Sequence, residues 1–401
     1  FKKEVLSASN VKIANCEFVS DESMGFDKKF TQYANRSGFS NFHYTCTGAL
    51  AVEAAIKTCI HNSGYKTPNI ISFKNSFHGI NSLSSFITDR FWPATTKLDN
   101  FPEIFSTKID LNLSDLESAL SEKFVTCVIV EPIQCSAGDI YQDLSFFKGV
   151  RDLCDMYEVP LIFDEIQVGF GGTGKLWFYE HTDIVPDILV YGKKTQLSGI
   201  MVMPKYSKIF EPESVTRLEV TWDGDLMDMI RCKYIIDAYQ KYNILENVQI
   251  QSKNLLNTLR CYEELKNPRS CGLIAAFDLE DREQRDSLVQ ELYNNGMLVN
   301  KTGKRSVRLR PPLSLNNDDI CSADEIIKKS LKNKKESIKM KINFENLENR
   351  CDKIVESKEY ELLVEKINKA KKVFLIGNGG LHYVASHMST DMSRLISGKA
   401  F

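Results

Sequence analysis

No apolar run in this 401-residue chain approaches the ~18 residues that a membrane-crossing helix needs, and no signal-peptide pattern opens it. Its eleven cysteines stand singly, an odd number without a CxxC pair. That argues against a disulfide framework and for reduced thiols in a cytoplasmic setting. Histidine is sparse, at six, and neither His78 nor His181 shares metal-ligand spacing with other donors. No metal site is expected, and a lone histidine reads first as a hydrogen-bonded core group. A formal net charge of −2 gives no pull toward nucleic acid or membrane surfaces. What remains, at 43% hydrophobic and 26% charged residues, is a globular protein with enough chain for two or three domains.

Strand and helix patterns alternate through the first half. Residues 21–36 read as a helix and Asn41–Thr45 as a strand. Thr47-Gly48 opens the helix former Ala49–Lys57, and Pro68–Phe73 is a strand followed by Ser76-Phe77-His78-Gly79. Ser114 and Glu117 have the spacing of a capping box. Phe124–Val130 is an apolar strand running into Glu131-Pro132, and residues 143–158 form an amphipathic helix. This order predicts an α/β fold with a doubly wound, mostly parallel sheet. Helices at 224–241 and 246–266 follow. A smaller α+β unit then has strands at 272–277, 296–299 and 305–313 around a helix at 282–295. The basic run at 328–341 reads as a solvated helix end or linker. Beyond it, a helix at 344–370, a strand at 371–376, the turn Gly377–Gly380 and a helix at 382–396 are too few to bury a core alone, so they read as the start of a truncated third α/β fragment. The expected division is 1–205, 206–335 and 336–401.

The stretch 161–199 carries the chemistry. Leu161-Ile-Phe163 ends in Asp164-Glu165, and Asp187–Tyr191 ends in Gly192-Lys193-Lys194. Open α/β sheets build sites from charged groups at the carboxyl ends of buried strands. Between the two runs, Gly169–Lys175 formally fits two nucleotide signatures. Leu176 stands where a P-loop needs Ser or Thr, and no helix directly follows the glycines, so the turn reads as structural. The helix start at Gly48-Ala49 offers free N–H groups to an anion, although any strand–turn–helix connection would look the same. A pyridoxal phosphate site needs an amine for a Schiff base, an acid for the ring nitrogen, an anion cradle and a stacking ring. Lys193, Asp164, Gly48-Ala49 and Phe77 supply one each.

With these blocks, GALAVEAAIK and FDEIQ…PDILVYGKKTQ, residues 1–330 resemble the class III aminotransferases of fold type I, nearest the lysine ε-aminotransferase branch. The resemblance implies a dimeric, pyridoxal 5′-phosphate-dependent enzyme. It would pass an amino group from a small-molecule donor to a 2-oxo acid such as 2-oxoglutarate. Lys193 would carry the Schiff base and shuttle the proton, with Lys194 the weaker candidate. Asp164 would hold the ring nitrogen protonated and Gln167 would meet the 3-hydroxyl. Phe77 and Ile166 would flank the ring, with His78 and Glu131 among the cofactor-binding residues. Gly48 and Ala49 would bind phosphate, Thr221 would reach the partner subunit's phosphate, and Arg308 or Arg310, Arg308 by preference, would clamp a substrate carboxylate.

The branch's substrate-facing residues are replaced: Ile80 stands in place of an arginine, Ser136 of a gating glutamate, Glu219 of an amide, and Asp223 lies in a loop facing the phosphate. This implies a donor other than lysine. The alternatives are a degenerate cofactor-binding module or an aminomutase or epimerase. Residues 344–401 resemble the opening of a SIS sugar-isomerase domain near the phosphoheptose isomerases, with Leu381 replacing its serine. Both ends read as truncated, and a chain lacking the N-terminal segment of the family is expected to lose activity.

Overall fold

Seven strands form the large sheet in the spatial order Asn41–Thr45, Ser198–Val202, Ile188–Tyr191, Leu161–Asp164, Cys127–Val130, Asn69–Phe73 and Phe105–Ile109. Only Ser198–Val202 runs against the others, pairing antiparallel with both of its neighbours. The coordinates are a computed structural model. They describe residues 1–339, apart from 11, 16, 65–67, 91–104, 122–123 and 215, together with 358, 361 and 365. The elements expected over 371–396 lie outside the described residues.

The central strands are continuous apolar runs because both faces of the sheet are covered. On one face Ile70, Cys127, Ile129, Ile162, Ile188 and Val190 pack with Ala51, Ala55 and Ile56 of helix Gly48–Ser63. On the other, Ile71, Val128, Phe163, Leu189 and Tyr191 join Phe147 of helix Leu144–Met156 and Phe30 of helix Asp21–Ala34. A second, four-stranded antiparallel sheet runs Lys266–Cys271, Ile274–Asp278, Ser306–Leu309, Asn300–Thr302. Its core includes Leu255 and Leu259 of helix Ile244–Arg260, Leu288 and Leu292 of helix Arg282–Asn294, and Ile327 of helix Asn317–Lys339. The chain divides into two compact units, Phe1–Asn333, which holds both sheets, and Lys334–Phe401. Among the described residues no helix is long and apolar enough to cross a membrane.

Several boundaries differ from expectation. Phe124 takes a left-handed backbone (φ +76°) and is exposed, so pairing starts only at Cys127. Asn112, not Ser114, caps the helix Leu113–Ser121, its Oδ1 accepting from Asp115 N at 2.8 Å. The helix expected to 266 stops at Arg260, and Lys266–Cys271 is instead an edge strand that accommodates Pro268 at an irregularity. The strand expected at 296–299 lies at Asn300–Thr302. Helix Asn317–Lys339 absorbs most of the basic run.

Candidate active site

Five strands of the large sheet deliver, just past their carboxyl ends, the residues lining a cavity of about 250 Å³. They are Gly48 and Ala49, Phe77 and His78, Glu131, Asp164 with Ile166 and Gln167, and Lys193. The structure thus brings together nine of the residues expected from sequence. Thr221 lies apart, exposed on the loop before helix Leu226–Lys241, and lines neither this cavity nor the larger one beside it.

Asp164 is almost fully buried. Its Oδ2 meets His78 Nδ1 at 2.8 Å and its Oδ1 accepts from Ile166 N at 3.2 Å. His78 is held in turn through its backbone N–H, which donates to Thr88 Oγ1 at 2.9 Å, while its Nε2 is buried without a partner among the described residues. Glu131 Oε1 accepts from Phe77 N at 2.7 Å, which fixes the backbone that presents the Phe77 ring. Burial first, and then the neighbouring Asp164, raises the Glu131 carboxyl above the usual range.

The helix start expected to receive an anion is shaped by a short cap. Thr47 Oγ1 accepts from Leu50 N at 3.4 Å, leaving Gly48 and Ala49 at the head of a 16-residue helix. A Cβ on Gly48 would lie 2.9 Å from Ile166 Cδ1, so a side chain there would intrude on the cavity floor. Lys193 follows an extended Gly192 and is itself left-handed at φ +54°. A non-glycine residue held there is a local strain that surrounding structure must maintain.

The two lysines separate. Lys193 lines both the small cavity and an adjoining one of about 1530 Å³, whereas Lys194 lines only the larger. Lys194 Nζ donates to the Gln167 carbonyl at 2.6 Å. Burial first, and then Arg310 and Lys193 nearby, lowers its ammonium to about 8 against the opposing influence of Cys135.

The arginines separate too. Arg310 is committed to Asp139 through paired contacts at 2.9 and 2.6 Å. Arg308 meets only uncharged acceptors among the described residues, Gln167 Oε1 at 3.2 Å and the Cys135 carbonyl at 3.4 Å, and its Nε is buried without a partner. Both line the larger cavity because Val307 and Leu309, alternating with them, face the small-domain core. Asp139 was not among the residues expected; its only sequence signal is an acid after Gly138 in a turn.

The replaced positions fall in different places. Ile80 lines the small cavity, and Ser136 lines the large one, its carbonyl accepting from Arg90 Nε at 2.9 Å. Glu219 is exposed. Asp223 turns inward, Oδ2 accepting from Val220 N at 2.9 Å, and burial pushes its carboxyl up to about 6. The Gly169–Lys175 turn is structural in detail, with Gly171 and Gly174 at φ +90° and +85° and the Gly174 carbonyl accepting from Gln249 Nε2.

The aminotransferase class-III family profile matches residues 5–331. L-lysine-epsilon aminotransferase of Mycobacterium tuberculosis is 28% identical over 368 residues, covering 82% of this chain and 81% of the relative. The [LysW]-aminoadipate semialdehyde/glutamate semialdehyde transaminase of Sulfolobus acidocaldarius is 32% identical over 301 residues, covering 71% and 73%. The solved lysine aminotransferase from M. tuberculosis in its internal aldimine form superposes with a TM-score of 0.77 at 26% identity, covering 82% of this chain and 84% of that one. The chain belongs to the class-III aminotransferases.

Proposed function

We propose that this transaminase holds pyridoxal 5′-phosphate in the 250 Å³ cavity, with Lys193 as its point of attachment. The observation that carries this reading is the convergence on one cavity of an amine, a buried carboxylate, an aromatic ring, a branched aliphatic chain and a helix N-terminus. These groups fit a phosphorylated pyridine: Phe77 and Ile166 for its faces, Gly48 and Ala49 N–H groups for its phosphate. When bound, the cofactor supplies an electron sink for the carbon next to the substrate nitrogen.

The chain's own groups supply the rest. Asp164, oriented by His78, keeps the proton on the ring nitrogen. Gln167 has its carbonyl oxygen turned to Arg308 and Arg310, which leaves its amide nitrogen to donate to a ring hydroxyl. Lys193 is the base that moves the proton. Arg308, rather than the ion-paired Arg310, clamps a substrate carboxylate, and Asp139 keeps Arg310 in place. Thr221 serves the phosphate of a partner subunit in a homodimer, and the cell compartment is the cytoplasm. Residues 344–401 are proposed to belong to a SIS-like domain.

The acceptor is a 2-oxo acid such as 2-oxoglutarate, and the donor is an amine other than lysine, because Ile80 and Ser136 supply neither a cation nor an acid to the two cavities. The cofactor-loaded chain tests this with a panel of amines, following bleaching of the bound cofactor's near-visible band. We expect at least one amino acid to bleach it at least tenfold faster than lysine. Lysine proving the fastest donor would overturn the donor assignment.

A further inference from the structure

We infer that the larger cavity holds a second anion, a phosphate or carboxylate at the far end of the substrate, on Lys304 and Arg305. The inference rests on the transaminase reading for the identity of the substrate's other end.

Lys304 and Arg305 sit in the turn between strands Asn300–Thr302 and Ser306–Leu309, and this turn is clamped from two sides. On one side Gly303 presses against the 135–138 turn. Its N–H donates to the Ser136 carbonyl at 3.2 Å, and a Cβ on it would stand 2.5 Å from the Ala137 oxygen. With φ at +54° the position also favours glycine. Thr302 Oγ1 adds a bond to the Cys135 carbonyl at 2.6 Å. On the other side the buried Arg285 donates Nη1 to the carbonyls of Gly303 and Lys304 at 3.3 and 3.1 Å. The two cationic side chains therefore leave from a fixed base, which lowers the ordering cost of engaging a ligand.

Both residues line the cavity that Lys193 and Arg308 also line, and both line a further cavity of about 830 Å³. The nearby cations are already engaged: Arg282, Arg285 and Lys301 share Asp286, and Arg310 has Asp139. Among the described residues Lys304 and Arg305 have no ion-pair partner, and Arg305 makes only a 3.4 Å bond to the Glu280 carbonyl. Ten described residues lining the larger cavity are Lys or Arg, while Asp281 is the one acid, and its Oδ1 caps Gln284 N at 2.7 Å. A concave surface of one charge sign concentrates ligands of the other.

The test uses the full chain loaded with cofactor and paired donors that differ in a terminal anion: O-phosphoserine against serine, and 2-aminoadipate against norleucine. We expect the anionic member of at least one pair to bleach the cofactor band about tenfold more efficiently at low salt, with the advantage shrinking as salt rises. A Lys304→Ala, Arg305→Ala double variant should lose most of that advantage while handling serine and norleucine as the parent does. The pair that shows the effect identifies the anion. Equal rates within both pairs, or an advantage that survives in the double variant, would overturn the inference. Calorimetric titration of inorganic phosphate into the loaded chain reads the anion site without turnover. Tenfold weaker binding in the double variant supports the site even if no donor bleaches the band, an outcome that would instead count against the transaminase reading.

Discussion

Asp164 has one oxygen on His78 and the other on the Ile166 N–H, and it is nearly sealed from water. A carboxylate at this position brings a negative charge to the cavity, with both of its oxygens held in place. That charge is what a protonated ring nitrogen needs opposite it. Replacing Asp164 with Asn keeps the shape and removes the charge. We expect Asp164→Asn to retain cofactor, by absorbance, and to lose about 10²-fold or more in turnover, the scale of a well-placed proton-transfer partner. Turnover within threefold of the parent would remove Asp164 from the chemistry. At this scale the sequence was legible where chain-local order decides the outcome, as for Asp164 and Lys193 at strand ends. It was silent where the decisive partner is remote: Asp139 lies 171 positions from Arg310, and their pairing leaves Arg308, among the described residues, as the one of the two without an ion pair.

Between the two strands that carry Asp164 and Lys193, Glu165 acts as an internal splint. Its oxygens accept from Phe178 N at 2.5 Å and Tyr179 N at 3.0 Å, fixing the short helical turn Phe178–His181 beneath the site. Burial outweighs those two donors and pushes the carboxyl up to about 8. A carboxyl whose folded value lies above its unfolded one binds more protons in the native state. Its contribution to stability is therefore greatest at low pH and falls as pH rises from about 4 to 8. Glu165→Ala strands two buried N–H groups and is expected to cost about 2–4 kcal/mol in chemical denaturation. Glu165→Gln keeps one acceptor oxygen, should cost about half as much, and should flatten the fall in stability over that pH range. An alanine variant as stable as the parent would show that the splint carries no energy. The elements were readable where one period dominates, as in the helix Leu144–Met156. They were misread where a proline lies in an edge strand, as at Lys266–Cys271, since a sequence pattern does not announce an unpaired edge.

At the scale of the molecule, the parallel sheet converts sequence order into a site. Segments as distant as Gly48 and Lys193 meet because strands Asn41–Thr45 and Ile188–Tyr191 flank the reversed strand Ser198–Val202. The class of fold followed from alternating strands and helices. The reversed strand did not, because Ser198–Val202 is as apolar and buried as its parallel neighbours. Which of two adjacent lysines faces the 250 Å³ cavity decides where the proposed cofactor attaches. The structure gives Lys193 to that cavity and ties Lys194 to the Gln167 carbonyl. The direct measurement is the near-visible band of the cofactor-loaded chain, with mass spectrometry of the borohydride-reduced adduct, in Lys193→Ala and Lys194→Ala. The account predicts that Lys193→Ala abolishes both the lysine adduct and turnover, while Lys194→Ala keeps the adduct on Lys193. An adduct that persists in Lys193→Ala, carried by Lys194, would contradict it.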